Sequence, residues 1–322
     1  PADHAWTEGS APVAAPAIPA APRAPHAAVA AAVDALKAEG GAKCLFLGGR
    51  ALREDALHQA GRIAAATGCR LVAETFATRH QRGAGRVAVE KLPYFGEQAE
   101  AFLKDFGTIV FCGAEPPVSF FAYPGKPSWL SPPDADLVRL ASMREDALAA
   151  LTALADALGA PAEPALVQAP TSFPAEPGKL SSASLGAILA ELLPENAIVS
   201  DEGATQGGAS MLMCAGAKQH DWLQLTGGAI GQGLPNAVGA AIACPQRPVL
   251  ALVGLIYGWW LRRKLRAMPR DWNSGPDRRP PGPHDTIDVE FVVVEPETTP
   301  SRQLDAPKPP SPADGAGNRA GG

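Results

Sequence analysis

Asp221 to Gly254 reads DWLQLTGGAIGQGLPNAVGAAIACPQRPVLALVG, and the order of residue types in this stretch decides the fold. Gly227, Gly228, Gly231 and Gly233 stand before Pro235, and Ala237, Val238, Ala240, Ala241 and Ile242 follow densely enough to predict a buried helix. A glycine turn therefore opens a helix. Glycine accepts positive φ and lets backbone approach a ligand closely, while the free N–H groups of a helix start favour an anion, so the turn suits a phosphate. A tight turn packed beneath a core helix fits the same residues.

The flanks narrow the choice. Upstream, Ala197 to Ser200 is a short apolar run that stops at Asp201-Glu202-Gly203-Ala204-Thr205, and downstream Pro248 to Val253 stops at Gly254. Both runs read as strands. In open α/β sheets ligands gather beyond the carboxyl ends of strands, so two strand ends and one glycine-opened helix line a single crevice.

The string GGAIGQGLPNAVGAAIA (227–243) followed by PVLALVG (248–254) resembles the pyrophosphate-binding domain of the thiamine diphosphate enzymes of the acetolactate synthase, benzoylformate decarboxylase and pyruvate decarboxylase group. The resemblance implies that Gly203, Ala204 and Thr205 lie near the diphosphate and that Gly228 and Ala229 lie beside the aminopyrimidine ring. Ile230 would be the apolar wedge that bends the cofactor, and Gly254 would end the strand leading to the metal. The implied activity is decarboxylation of a 2-oxo acid such as pyruvate followed by carboligation, as in branched-chain amino acid biosynthesis. The implied cofactors are thiamine diphosphate and magnesium, and intact members are homodimers or tetramers. Residues 26 to 254 match the family's central domain followed by the first half of its diphosphate domain.

One departure is chemical. Where the family has Gly-Asp-Gly, whose aspartate holds magnesium, this chain has Gly254-Leu255-Ile256. Leucine offers no hard oxygen donor. A family asparagine further on has no counterpart at a strand end, since Asn273 sits among Arg, Pro and Gly. The activating glutamate of the family belongs to a pyrimidine-binding domain, and here only Pro1 to Trp6 resembles the end of that domain. No catalytic residue and no metal ligand is therefore assigned, and the expectation is a fragment with no measurable turnover by itself.

Composition fits this reading. The chain has 322 residues, 46% hydrophobic and 19% charged, as expected of a soluble protein of one to three domains. Its net charge of −5 argues against nucleic acid, which is bound by clustered Lys and Arg. Five cysteines without C-x-x-C spacing and six scattered histidines suit a reducing cytoplasm and no protein-only metal site. Cys44 and Cys112 read as small core residues. The start of the chain has no basic segment with an apolar run, so no signal peptide is expected.

Taken in order, residues 1–25 hold six prolines and read as a linker. Helices are predicted over 26–38, 52–67 and 97–105, with strands at Lys43 to Leu47, Arg70 to Glu74 and Thr108 to Cys112. The alternation implies a parallel sheet covered on both faces, a central α/β domain over 26–160. Gly48-Gly49 lacks dinucleotide spacing, which argues against FAD or NAD. Arg79 to Gly83 reads as a solvated loop with a weaker reading as a phosphate contact, and Tyr94 and Phe95 as packing on the sheet edge. Met143 to Leu158 is a helix, 161–180 a proline-punctuated linker, and Leu185 to Leu193 a helix capped by Ser181 or Ser182. Residues 181–254 make a partial thiamine diphosphate domain. Asp201 and Glu202 read as paired carboxylates or as a strand-end turn.

From Leu255 the character changes. The apolar run from Val249 to Leu261 has 13 residues, short of the ~20 that span a bilayer, and Arg262, Arg263, Lys264 and Arg266 follow. Residues 249–270 therefore carry an alternative reading as a membrane-proximal segment, and 255–322 as an atypical basic and proline-rich tail, from a frameshift, deletion or fusion near Gly254. The fold class expected is α/β: two open, doubly wound parallel-sheet domains, the second incomplete, with disordered termini.

Overall fold

The computed structural model describes residues 14, 16–121, 124–173, 181–203 and 207–253, all within one compact unit, Pro1–Ala267. Its first part runs α1 (His26–Lys37), β1 (Ala42–Leu47), α2 (Glu54–Thr67), β2 (Arg70–Ala73), β3 (His80–Arg82), β4 (Glu90–Lys91), α3 (Gly96–Leu103), β5 (Phe106–Cys112), β6 (Asp136–Ala141) and α4 (Ala147–Ala157). Five of these strands form a parallel sheet in the order β4-β2-β1-β5-β6. Side chains alternate along its strands. Leu45, Leu47, Val110 and Cys112 face a core shared with α1, α2 and α4, whereas Cys44, Phe46, Ile109 and Phe111 face the other side, against Ala99 and Leu103 of α3. The sheet is thus doubly wound, as the alternation of strands and helices predicted.

The local signals explain the boundaries. Gly68 ends α2 in the left-handed conformation at φ 69°, where a side chain would be strained. Asp146 accepts the Ala149 amide at the start of α4. The strand β6 was not anticipated, because Asp136 and Arg139 break its apolar pattern; it is an edge strand with only Leu140 and Ala141 buried.

The remainder runs α5 (Ser182–Leu192), β7 (Ala197–Glu202), α6 (Gly207–Met213), β8 (His220–Leu223), α7 (Gly233–Ala243) and β9 (Val249–Val253). Ser181 and Ser184 form a reciprocal capping box on α5. The second sheet has the order β3-β8-β7-β9, with β7 parallel to both β8 and β9. Val199, Met211, Cys214 and the fully buried Trp222 form its core.

Three expectations change. The second sheet is mixed, since β3 pairs antiparallel with β8 (His80 opposite Trp222, Arg82 opposite His220). Arg79 to Gly83 is therefore not a solvated loop: His80–Arg82 is an added edge strand. Gly83 makes the approach possible, at φ +120° and with its hypothetical Cβ 2.7 Å from the Gln219 Cα. Nor is α7 buried: Leu234, Val238 and Ile242 are 57, 60 and 77% exposed. Gly233 is its buried residue, Ala237 and Ala240 are half-buried, and the larger side chains are exposed. Tyr94 and Phe95 join an aromatic cluster with Phe76, Phe120 and Phe121. The expected disorder of 1–13 and the tail 254–322 lie outside the described residues.

Candidate functional site

The three parallel strands of the second sheet end side by side. Register places Ser200 beside Leu223 and Ala251, and Glu202 beside Val253. The ends of β7, β8 and β9 thus lie along one edge of the sheet.

The glycine turn is built by its backbone. Gly227, Gly228 and Gly231 all have positive φ, at 62°, 68° and 93°. A Cβ at Gly228 would stand 2.6 Å from Phe120 Cζ, so the absence of a side chain lets the loop after β5 touch the turn. The Gly228 amide donates to Leu225 O at 3.2 Å and the Ala229 amide to Thr226 O at 3.3 Å. Gln232 Nε2 closes the turn, donating to Gln224 O at 3.0 Å and Thr226 Oγ1 at 3.2 Å.

The helix start is already occupied by a carboxylate from within the chain. Glu202 Oε1 accepts the Gly231 amide at 2.5 Å and Oε2 the Gly233 amide at 2.6 Å, while Ser200 Oγ donates to Gly233 O at 2.8 Å. The donors that a phosphate would seek there are used by Glu202. The preceding residue is also committed: Asp201 Oδ1 accepts the Gly203 amide at 2.7 Å and Oδ2 accepts Trp222 Nε1 at 2.9 Å. Asp201 and Glu202 are therefore scaffold acceptors, closer to the strand-end-turn reading than to paired acid–base groups.

Of the residues predicted to hold a cofactor, the structure brings Gly203, at the end of β7, next to the turn of Gly228, Ala229 and Ile230 through Glu202. Ile230 is 91% exposed, an apolar side chain held out at the mouth of the turn. Ala204, Thr205 and Gly254 lie outside the described residues. Gly203 itself is tightly packed, since a Cβ there would lie 2.9 Å from Gly207 Cα.

Electrostatics divide the candidate cradle. Among the described residues no Lys or Arg hydrogen-bonds or pairs with Asp201 or Glu202, Lys91 acting on Asp201 only through its charge, and no three His, Cys, Asp or Glu are grouped to hold a metal. A diphosphate beside two carboxylates requires a cation to offset the repulsion. Among the described residues the turn thus presents an exposed apolar side chain, Ile230, and two carboxylates, which do not suit a metal-bridged diphosphate.

Two features escaped the sequence. Phe120 lies more than 100 positions from the turn it touches, and no local pattern marks it. Asp221, almost fully buried, accepts Arg79 Nε at 2.9 Å and Arg247 Nη1 at 2.8 Å. It ties the start of β3 to the segment before β9. Gly48, by contrast, serves packing: a Cβ there would stand 2.5 Å from Gly113 O, and the next amide donates to Glu74 Oε1 at 2.9 Å.

No family model matches the chain. Over 253 residues it is 46% identical to the candidate acetolactate synthase large subunit IlvX of Mycobacterium tuberculosis, covering 78% of this chain and 48% of that protein. The chain thus spans about half the length of this relative. Its fold is shared with a thiamine diphosphate-dependent 4-hydroxybenzoylformate decarboxylase of Rhodococcus jostii RHA1 (TM-score 0.55, 21% identity, 76% of this chain and 49% of that one). It is shared equally with a benzoylformate decarboxylase of Polynucleobacter necessarius (TM-score 0.54, 17% identity, 78% and 50%).

Proposed function

The chain is a homologue of an acetolactate synthase large-subunit-like protein over about half of that protein's length, and on that premise we propose that residues 197–254 are the ring-holding part of a thiamine diphosphate cradle. The observation that carries the reading is the exposed Ile230 on a positive-φ glycine turn, held at the shared edge of three strand ends by Glu202. When bound, thiamine diphosphate supplies a nucleophilic carbon and an electron sink for decarboxylating a 2-oxo acid, pyruvate being the substrate the family resemblance suggests.

This chain's residues supply position. Gly228 admits Phe120 on one side, Glu202 fixes the height of Gly231 and Gly233, and Ile230 is left as the apolar wedge. Gly254-Leu255 supplies no metal donor, so this polypeptide alone binds the diphosphate weakly and turns nothing over. Hydrogen exchange tests the placement. With saturating thiamine diphosphate, slowed exchange is expected at 225–233 and around Gly203; slowing elsewhere, or none, removes the reading.

A second reading rests on a different feature. Leu234, Val238 and Ile242 form an exposed stripe along α7, and among the described residues the adjoining β9 is the last strand of its sheet. Such a surface favours association with another chain. Size-exclusion chromatography decides: a monomer at high concentration argues against it. The cytoplasmic setting and the domain limits at 26–160 and 181–254 belong to the same proposal. None of the described helices is long and apolar enough to cross a membrane, and residues 254–270 lie outside them.

A further inference from the structure

A second cleft, of about 940 Å³, lies away from the glycine turn, between the β2–β4 edge of the first sheet and α6. Leu71, Val87, Val89, Met211, Leu212 and Ala215 give it mostly apolar walls. Its charged lining is three cations, Arg70, Arg82 and Lys91, against one carboxylate, Glu90. Arg82 and Lys91 face it, and the neighbouring Arg70 is already held by Glu90 through bonds of 2.7 and 2.5 Å.

One corner carries unmet hydrogen-bonding groups. His80, 3% exposed, has no partner for either ring nitrogen, and Arg82 has none for Nε or Nη1. The Arg82 guanidinium is packed over Trp222, with its carbon 5.7 Å from the ring centroid, and no carboxylate among the described residues pairs with it. The adjacent Arg86 shows the contrast: it donates to Arg82 O and His220 O and pairs with Glu54. Buried groups of this kind are normally satisfied, and an unpaired buried guanidinium is destabilising. Arg82 stays charged, since burial lowers its pKa only to about 10.

We propose that this cleft binds an amphipathic organic anion, a carboxylate or phosphate head held by Arg82 and Lys91 with an apolar body along Leu71, Val89 and Met211. The volume suits a ligand of small-molecule size, and guanidinium planes grip both kinds of oxyanion in a bidentate manner. The site is independent of the thiamine reading, because neither Gly203 nor the 227–233 turn lines it.

Calorimetry on the full chain tests the proposal with decanoate, decyl phosphate, inorganic phosphate and decyltrimethylammonium, below their micelle concentrations. One decanoate or decyl phosphate per chain is expected to bind, whichever is tighter identifying the head group, with inorganic phosphate weaker and the cation absent. Arg82→Gln weakens binding about tenfold or more, and the surface variant Lys91→Gln, which has little bearing on folding, weakens it severalfold. The slowing of hydrogen exchange at 225–233 by thiamine diphosphate stays as in the parent. Cation binding equal to anion binding, or parent affinity in both Arg82→Gln and Lys91→Gln, overturns the proposal.

Discussion

Glu202 Oε2 accepts the backbone amide of Gly233 at 2.6 Å, so the helix opened by the glycine turn is capped by a residue 31 positions earlier in the chain. The same carboxylate takes the Gly231 amide, and two donors of the helix start are satisfied from the end of β7. Glu202→Ala is expected to cost about 1–3 kcal/mol by urea denaturation, the cost of a lost cap and of orphaned amides. Inorganic pyrophosphate should then raise the melting temperature of Glu202→Ala and not that of the parent, because the vacated helix start regains its affinity for anions.

Asp221 holds two arginines at once, and its own carboxyl is nearly sealed from water. Removing the shared partner is worse than removing either arginine. Asp221→Ala should cost about 3 kcal/mol, while Arg79→Gln and Arg247→Gln each cost less because the other arginine still pairs. A double-mutant cycle in chemical denaturation measures this; additive losses for the two arginine variants would contradict a shared acceptor.

Gly83 sits where β3 turns back from β8, at φ +120° and against the Gln219 backbone. Gly83→Ala combines strain with a backbone clash and should destabilise by about 3 kcal/mol or more, whereas Gly68→Ala, left-handed but in open space, should cost about 1 kcal/mol. Thermal melting of the two variants side by side gives the comparison.

His220 and His80 set the acid limit of stability. Burial is the main cause in both: His220 falls to about 4 from the usual 6.5, with Arg82 and Arg86 adding to the effect, and His80 falls well below 6.5. Both are therefore neutral in the fold, while the unfolded chain takes up protons below pH 6.5. Stability is full above pH 6.5 and declines as pH falls towards 4, by on the order of 3 kcal/mol for His220. Denaturation midpoints at a series of pH values test the slope, and His220→Gln should flatten it.

What the sequence disclosed follows from the range over which its signals act. Local periodicity and glycine stops were enough for α1, β1, α2, β5 and the turn at Gly227–Gly233, because each is decided within a few residues. The strand β3 was misread because His80-Gln81-Arg82 has no apolar alternation; its partner, β8, lies some 140 residues away and supplies the pairing. The burial assigned to α7 failed for a related reason. Alanine and glycine marked a packed helix, yet only Gly233 is buried, and Gly239, Ala241 and Ala243 are exposed along with Val238 and Ile242. In the candidate site, the glycine turn at Gly227–Gly231 was legible from its residue types, whereas Phe120 and the roles of Glu202 and Asp221 depend on contacts that no spacing encodes.

The most direct measurement is calorimetric titration of this chain and of its Leu255→Asp variant with thiamine diphosphate, with and without magnesium. The account predicts weak, magnesium-independent binding by the parent and magnesium-dependent binding about tenfold tighter by Leu255→Asp. Tight magnesium-dependent binding by the parent, or no gain in the variant, would contradict it.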